Sequence, residues 1–443
     1  MQTPLTRNIK PGREPLDLAG YRDAGGYRAV ERALDAKPEA ITELVKHSRL
    51  RGRGGAGFPT GLKWSFIPMG DDAPALKYLV CNADEMEPGT FKDRLLLEGD
   101  PHQMIEAMIV SAWAVQARIG YIFLRSEYTL AERRLRRAIE EATEAGYLGD
   151  HVMGSDFSFR IHLHASAGRY ICGEETAMLS ALQGQRAIPR DKPPFPQAVG
   201  LFGRPTAINN VETLCNVPHI VNHGAEWFRD LSRVDDGGTK LYAASGRVRK
   251  PGVYELPMGT PLREILEDHA GGMLDGYRFK AVLPGGGSTP MLVEKHLDLP
   301  MDYDHIEEAG SRLGTGALVV IDDKTSIVGL LRNLEHFFAQ ESCGWCTPCR
   351  EGLSWIEKVL AEMEAGRGRP GDIEMLERHA DMLGPGKTFC AHAPGAVGPL
   401  MTALDYFRDE FEQAIDHSTM DASAIAQSTR DDSGHAHSGH GAA

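Results

Sequence analysis

Three cysteines at three-residue spacing, Cys343, Cys346 and Cys349, lie on the run Cys-Gly-Trp-Cys-Thr-Pro-Cys, and a fourth, Cys390, stands alone downstream. Three thiols on one compact turn plus one remote thiol suit the corners of a [4Fe–4S] cluster, which is held by four Cys thiolates. Structural zinc is the competing reading, although its ribbons present two separated Cys-x-x-Cys pairs, and Cys390 has neither a neighbouring Cys nor a spaced His pair. A thioredoxin-like redox pair needs a strand ahead of its first Cys, where this chain has a helical pattern. The remaining thiols, Cys81, Cys172 and Cys215, are scattered and read as small buried hydrophobes. His435, His437 and His440 could bind a metal but read as part of a solvated tail.

A second chemistry is suggested by Gly52-x-Gly54-x-x-Gly57, a literal match to the dinucleotide fingerprint. That motif takes its meaning from a preceding strand and a following helix, whereas here a polar helical segment comes first and Pro59 and Gly61 interrupt the stretch after the loop. The physics of the loop survives, because glycine amides can approach a phosphate, or lie beneath a planar ring, without interference from Cβ. Arg51, Arg53 and Lys63 add positive charge, and Phe58, Trp64 and Phe66 offer ring faces. The reading is a nucleotide loop of unconventional geometry. Asn82, Asp84, Glu85 and Glu87 follow the apolar run Tyr78-Leu-Val-Cys81, and Glu174 and Glu175 follow a turn at Gly168. Carboxylates repel pyrophosphate, so these groups are expected to accept hydrogen bonds from ribityl, ribose or amide groups. Taken singly, each also reads as a helix-start residue near a positive dipole end.

These groups need elements to hold them. The pattern predicts a helix over 27–49, a strand over 78–82, a buried helix over 101–118, a strand over 120–125, a surface helix over 129–145, a strand over 159–164 and a helix from about Gly173. Strands alternating with helices predict an open α/β sheet with sites at strand ends. Between about 240 and 320, β-like runs at 240–245, 279–283 and 317–321 surround one helical stretch, 262–269, and a Gly285-Gly-Gly287 turn, which predicts a small α+β module. From Ser326 the pattern is helical, with Ile327, Leu330, Leu331, Leu334, Phe337 and Phe338 at helix spacing, then 352–365, 372–383 and 396–415. Composition bounds the rest. The chain has 443 residues with 48 Lys and Arg against 62 Asp and Glu, a net charge of −14, enough for roughly two to four domains. Such a balance repels phosphate backbones, so no nucleic-acid partner is expected. The best apolar run, Met104 to Ala117, contains Glu106 and falls short of the roughly 20 residues of a membrane span, so a soluble chain is expected. An N-terminus without an apolar signal core and an odd Cys count point to reduced thiols in the cytosol.

RGRGGAGFPTGLKW (Arg51 to Trp64), CNADEMEPGTFKDR (Cys81 to Arg94), YICGEETAML (Tyr170 to Leu179), KPPFP (Lys192 to Pro196), INNVETL (Ile208 to Leu214) and ESCGWCTPCREG (Glu341 to Gly352) together resemble the flavin-binding, NADH-oxidising F subunits of NADH:quinone oxidoreductase, respiratory complex I. The resemblance implies an α/β chain: an atypical Rossmann-like FMN domain with an N-terminal helical segment over 1–238, a ubiquitin-like α+β domain of the soluble-ligand-binding β-grasp type over 239–324, a four-helix-type bundle carrying a [4Fe–4S] cluster over 325–418, and a disordered tail over 419–443. It implies FMN contacts at Arg53, Gly54, Lys63, Asn82, Asp84, Tyr170, Gly173, Glu174, Asn209, Asn210 and Thr213, with Gly52, Gly55, Ala56, Gly57, Pro59, Thr60, Gly61 and Glu85 completing the cofactor surface. NADH would stack on Phe58, Phe66 and Phe195 and meet Glu87, Glu175 and Lys192, while Cys343, Cys346, Cys349 and Cys390 hold the cluster.

By the same resemblance hydride passes from NADH to FMN, and electrons leave singly through the cluster toward quinone, so no side chain is expected to act as a covalent or acid–base catalyst. The implied partners are a thioredoxin-like [2Fe–2S] subunit and a large multi-cluster iron–sulfur subunit, in a complex lying peripherally on the cytoplasmic side of the inner membrane. The alternative is the diaphorase subunit of an NAD-linked hydrogenase or formate dehydrogenase; a reading of another class is a flavin-free cluster carrier. Two departures from the family pattern stand out. Ser166 occupies a position usually held by Gly, at a cost of about 1–2 kcal/mol if that position needs a positive φ. Ala391-His-Ala-Pro-Gly395 replaces a Leu-Gly-Asp segment, and His392 is expected at the surface unless it tunes the cluster.

Overall fold

The computed structural model describes residues 2–415, which divide after Lys324 into two compact units. The tail expected over 419–443, with His435, His437 and His440, lies outside the described residues. In the first unit, four strands form a parallel sheet in the order β3-β2-β1-β4: β1 Tyr78–Ala83, β2 Ile119–Leu124, β3 Arg160–Ala165 and β4 Thr206–Asn210. Parallel neighbours require crossovers, and helices supply them. The Pro101–Val115 helix joins β1 to β2 and is buried on nearly every face, because its Met, Ile, Ala and Val residues leave no polar stripe. The Thr129–Glu144 helix joins β2 to β3 and buries only Ala131, Leu135, Ala138 and Ala142. Leu79, Cys81, Met104, Met108, Ile109 and Leu214 pack one side of the sheet, and Val80, Phe123, Met178, Leu179 and Ile208 pack the other.

The register pairs Cys81 with Asn209 and Asn82 with Asn210, so the polar ends of β1 and β4 lie side by side at the carboxyl edge. That edge is where ligands bind in open α/β sheets. β4 is not evident in the sequence, since Thr-Ala-Ile-Asn-Asn is short and polar at one end. The helix expected over 27–49 is two helices, Arg28–Leu34 and Pro38–His47, because Pro38 lacks an amide and starts a helix afresh.

A second four-stranded sheet comes next in the chain, β6-β5-β8-β7: β5 Thr239–Gly246, β6 Gly252–Pro257, β7 Phe279–Leu283 and β8 Ala317–Asp322, with β5 and β8 parallel at its centre. The second unit has four longer helices, Ile327–Glu341, Thr347–Glu364, Asp372–Leu383 and His392–Tyr406, packed through Leu331, Phe338, Leu353, Leu360, Leu376 and Leu400. The segment expected as one helix over 396–415 breaks into His392–Tyr406 and Arg408–Gln413. Among the described residues no helix is long and apolar enough to cross a membrane.

A buried charge network joins the two sheets of the first unit. Glu212, at the start of the Val211–His223 helix that leaves β4, is fully buried. Its Oε2 lies 2.7 Å from Lys240 Nζ on β5 and 2.8 Å from Lys92 Nζ, and its Oε1 accepts the Leu241 amide at 2.9 Å. Burial alone would raise the Glu212 carboxyl, but Lys240, Lys92 and Arg53 outweigh it and hold it down to about 2. Its contribution to stability is therefore complete above about pH 4.3, the ordinary glutamate value, and is lost as pH falls toward about 2. Glu212→Gln leaves the buried Lys240 ammonium without its counter-charge and Lys92 with Asp93 alone, so we expect a loss of about 3–5 kcal/mol and the disappearance of this acid dependence. Thermal melting at pH 7 and at about pH 2.5, inside that window, checks both effects, with the exposed Glu226→Gln as the control that does not shift.

Candidate functional site

The glycine loop is a closed excursion. Gly52 N donates to Phe58 O and Thr60 N to Leu50 O, both at 2.9 Å, after which Pro59 turns the chain into the Thr60–Ser65 helix. The element ahead of it is the Pro38–His47 helix, so this is no strand–loop–helix fingerprint. Gly57 has φ +66°, and a Cβ there would stand 2.5 Å from the Tyr303 ring; a Cβ on Gly54 would lie 3.0 Å from Asn210 Cβ. The loop is thereby pressed onto the end of β4. Gly54 and Ala56 remain exposed, and Phe58, Phe66 and Phe195 are 46%, 55% and 55% exposed, which is unusual for side chains of that size. The Phe58 and Phe66 ring centroids are 6.5 Å apart.

Direct bonds join the separate stretches into one site. Arg53 N donates to Thr213 Oγ1 at 2.8 Å, and Trp64 Nε1 to Asn209 Oδ1 at 2.9 Å. Asn82 Nδ2 donates to Gly173 O at 3.1 Å, and Lys63 Nζ lies 2.9 Å from Glu175. Asn210 caps the Val211–His223 helix through Glu212 N and donates to Asp93 at 2.6 Å. Nothing lies within 4 Å of where a Cβ would stand on Gly55 or Gly173, and the buried Thr60 Oγ1 has no hydrogen-bond partner in the protein. Open glycine faces between Asn82 and the loop, with exposed rings nearby, fit a planar cofactor such as FMN.

The expected source of positive charge needs correction. Arg53 is fully buried: its Nη2 donates to Gly237 O and Thr239 O, while its Nε and Nη1 have no hydrogen-bond partner in the protein. Arg51 lies over the Tyr303 ring and pairs with Asp236 at 3.3 Å and Asp304 at 2.7 Å. The Arg51 guanidinium is therefore engaged within the protein, and that of Arg53 through one nitrogen. Lys63 and Lys192 remain at the site: Lys192 Nζ lies 2.9 Å from Glu174 and 3.2 Å from Glu175. Burial would raise Glu175, but Lys63 and Lys192 hold it below its ordinary value.

The carboxylates divide into two kinds. Glu85 accepts the amides of Asp93 and Arg94 at 2.9 and 3.1 Å and the Tyr128 hydroxyl at 2.9 Å, so it closes the start of the Lys92–Gly99 helix rather than presenting an acceptor to a cofactor. Burial and Asp93 push it up to about 7 against the pull of Lys92. Glu174 caps the Glu175–Leu182 helix through the Thr176 and Ala177 amides, and its other oxygen takes Lys192. Glu87 instead meets Tyr170 Oη at 2.6 Å and the Ser288 amide at 2.7 Å. Ser288, Tyr303 and Asp236 were not singled out in the sequence; only the Gly285-Gly-Gly287 run hinted at a loop there.

Ser166 is not strained. Its φ is not positive; the left-handed residue is Gly168, at φ +69°. The Ser166 hydroxyl donates to Asp84 Oδ1 at 2.8 Å and accepts the Gly168 amide at 3.2 Å.

In the second unit, Cys346 immediately precedes the Thr347–Glu364 helix, Cys349 sits in its first turn, and Gly344 at φ +74° lets the chain fold back between Cys343 and Cys346. Cys390 lies just ahead of the His392–Tyr406 helix. Burial pushes the Cys349 thiol up to about 12, opposed by the Ser342 hydroxyl at 3.3 Å and reinforced by the neighbouring Cys346, Cys390 and Cys343. Thiols that feel one another across two segments share one site, and four of them match the donor set of a [4Fe–4S] cluster. Among the described residues no three His, Cys, Asp or Glu side chains converge tightly enough for a single ion. His392, expected at the surface, is buried with Nε2 2.8 Å from Phe338 O, because the helix it begins packs against Ile327–Glu341. Cys81, Cys172 and Cys215 are buried, and burial pushes Cys81 and Cys215 well above the ordinary thiol value.

Family models match three successive segments: the Nuo51 FMN-binding domain at residues 45–219, the SLBB domain at 243–293, and the NADH-ubiquinone oxidoreductase-F iron–sulfur binding region at 329–414. The F subunit of NADH-quinone oxidoreductase in Salmonella typhimurium is 57% identical over 413 residues, 93% of each chain, and that of Escherichia coli is equally similar. An F subunit of the Rhizobium meliloti NADH-quinone oxidoreductase is 56% identical over 400 residues, 90% of this chain and 94% of that one. Among solved structures, an NAD+-reducing [NiFe]-hydrogenase in the H2-reduced state aligns with a TM-score of 0.80 at 34% identity, covering 91% of this chain and 68% of that one. The chain belongs to the family of NADH-quinone oxidoreductase F subunits.

Proposed function

We infer that the chain is the NADH-oxidising subunit of a multisubunit NADH–quinone oxidoreductase, with FMN in the first unit and a [4Fe–4S] cluster in the second. The observation that carries this reading is the pairing, in one chain, of an open glycine cradle edged by exposed Phe58, Phe66 and Phe195 with four cysteine thiols that share a site. When bound, FMN supplies a two-electron acceptor for hydride and a one-electron donor for iron–sulfur centres, a conversion that no side chain provides.

The protein's own part is placement. Gly52 to Gly61, Asn82, Gly173, Asn209, Asn210 and Thr213 form the flavin surface, with Asp84 oriented by Ser166. The three exposed Phe rings take the base of NADH by stacking, Lys63 and Lys192 attract its phosphates, and Glu87 accepts hydrogen bonds from its ribose or carboxamide. Glu174 and Glu175 keep the two lysines in place until the dinucleotide competes for them. Hydride transfer demands close, aligned rings and no proton shuttle, so positioning is the whole catalytic task. Cys343, Cys346, Cys349 and Cys390 ligate the cluster, and the amino end of the 18-residue Thr347–Glu364 helix offsets thiolate charge. A thioredoxin-like [2Fe–2S] subunit and a large multi-cluster subunit receive the electrons, on the cytoplasmic side of the membrane.

The hydrogenase likeness supports a second reading, a diaphorase subunit. Deleting the chain separates the two: the first reading requires loss of NADH-dependent quinone reduction by membranes, the second loss of hydrogen- or formate-linked NAD reduction. At the level of residues, Glu87→Gln should raise the KM for NADH about tenfold or more, the equivalent of one charge-assisted hydrogen bond, with FMN content unchanged. Steady-state ferricyanide reduction and flavin assay measure both. Cys349→Ser should abolish the EPR signal of the reduced cluster while FMN stays bound; a persisting signal removes Cys349 from the ligand set.

A further inference from the structure

Glu87 is held from the second sheet as well as from its own. Tyr170 donates to one oxygen at 2.6 Å and the backbone amide of Ser288 to the other at 2.7 Å. A carboxylate offers about four acceptor sites, so the Tyr170 hydroxyl with the Ser288 amide and side chain fixes the group and leaves a site for a ligand.

The Ser288 amide is delivered by a rigid support. Gly285 to Ser288 follows β7, and Gly286 N donates to Ala317 O at 2.8 Å, Gly287 N to Pro88 O at 2.9 Å and Thr315 N to Gly285 O at 3.2 Å. The Thr90 and Thr315 hydroxyls meet at 2.6 Å. Arg312 donates to Ser288 O, and its charge favours an ionised Glu87 against the effect of burial. At the centre is Gly286, with φ +101°: a Cβ there would stand 2.5 Å from Glu87 Cγ and 2.8 Å from Oε1. The loop backbone therefore lies directly against the Glu87 side chain, in a conformation and at a distance that glycine alone allows.

We propose that Gly286 is a positioning residue for NADH oxidation: the Gly285–Ser288 loop sets where the Glu87 carboxylate stands, and through it the affinity for the dinucleotide, while flavin binding stays with the first sheet. This assigns the second sheet a part in substrate recognition, and it rests on the reading of Glu87 as a nucleotide contact. Because the Cβ at 286 would meet a flexible side chain, the movable partner is Glu87.

The test is Gly286→Ala in the assembled, FMN-loaded complex, measured beside Glu87→Gln and the double variant by NADH–ferricyanide kinetics and flavin stoichiometry. Gly286→Ala is expected to raise the KM for NADH about tenfold, with kcat at saturating NADH and FMN content unchanged. Since one carboxylate carries both effects, the double variant should show the KM of Glu87→Gln alone, not the product of the two increases. Multiplying effects, an unchanged KM in Gly286→Ala, or loss of FMN or kcat from that variant would overturn the proposal. A silent Glu87→Gln would instead remove the reading of Glu87 on which it stands, so the two failures are told apart.

Discussion

The first unit depends on one buried carboxylate. Glu212 lies in the first turn of the helix that leaves β4 and binds Lys92, Lys240 and the Leu241 amide at once. Two elements remote in sequence, the Lys92–Gly99 helix and β5, are thus tied to the residue just past the Asn209–Asn210 end of the sheet. Buried ion pairs give little net stability compared with well-packed apolar groups, yet losing one member is costly because the other charge stays buried. Such a network therefore acts as a constraint: one relative arrangement of the sheets satisfies every charge, and others leave an ammonium unpaired.

That constraint extends to the site. Lys92 also reaches Asp93 at 2.8 Å and Asn210 at 3.3 Å, and Asn210 is the residue against which Gly54 is pressed. Glycine loop, β4 end and second sheet accordingly form one continuous piece of packing. The same economy explains why Arg51 and Arg53 serve architecture: they secure the loop to Asp236, Asp304 and the Gly237 and Thr239 carbonyls. In a chain of net charge −14, the cations left for an anionic ligand are few, and Lys63 and Lys192 are restrained by the carboxylates that precede and begin one helix.

Much of this was legible in the residues. The four thiols, the unconventional glycine loop, β1 to β3, β5, β7 and β8 follow from spacing and apolar runs, which report local structure. β4 and β6 did not, because Thr206–Asn210 is short and polar at one end and Gly252–Pro257 is bounded by Gly and Pro, and both gain their strand character from their neighbours. The direction of a charged side chain was equally hidden. Nothing local distinguishes Arg53, which turns inward, from Lys63, which stays at the site; carbonyls from residues 237 and 239 decide it. His392 is the same case in the second unit, buried by a helix pairing that no sequence period announces.

Glu85 and Glu87 show most plainly what the fold adds. Both follow the same strand, and each is a credible helix-start residue or ligand contact by type. The Lys92–Gly99 helix begins close to Glu85 and supplies two amides, and Tyr128 adds its hydroxyl, so Glu85 is held wholly by its own sheet and helices. Glu87 lies beyond the reach of that helix end and would be left short of donors in its own domain, with only the Tyr170 hydroxyl. The second sheet corrects the shortfall with Ser288, through its amide and its side chain. A carboxylate that is fixed but not saturated is the form a recognition group must take: rigid enough to cost a ligand little ordering, with acceptor sites still open.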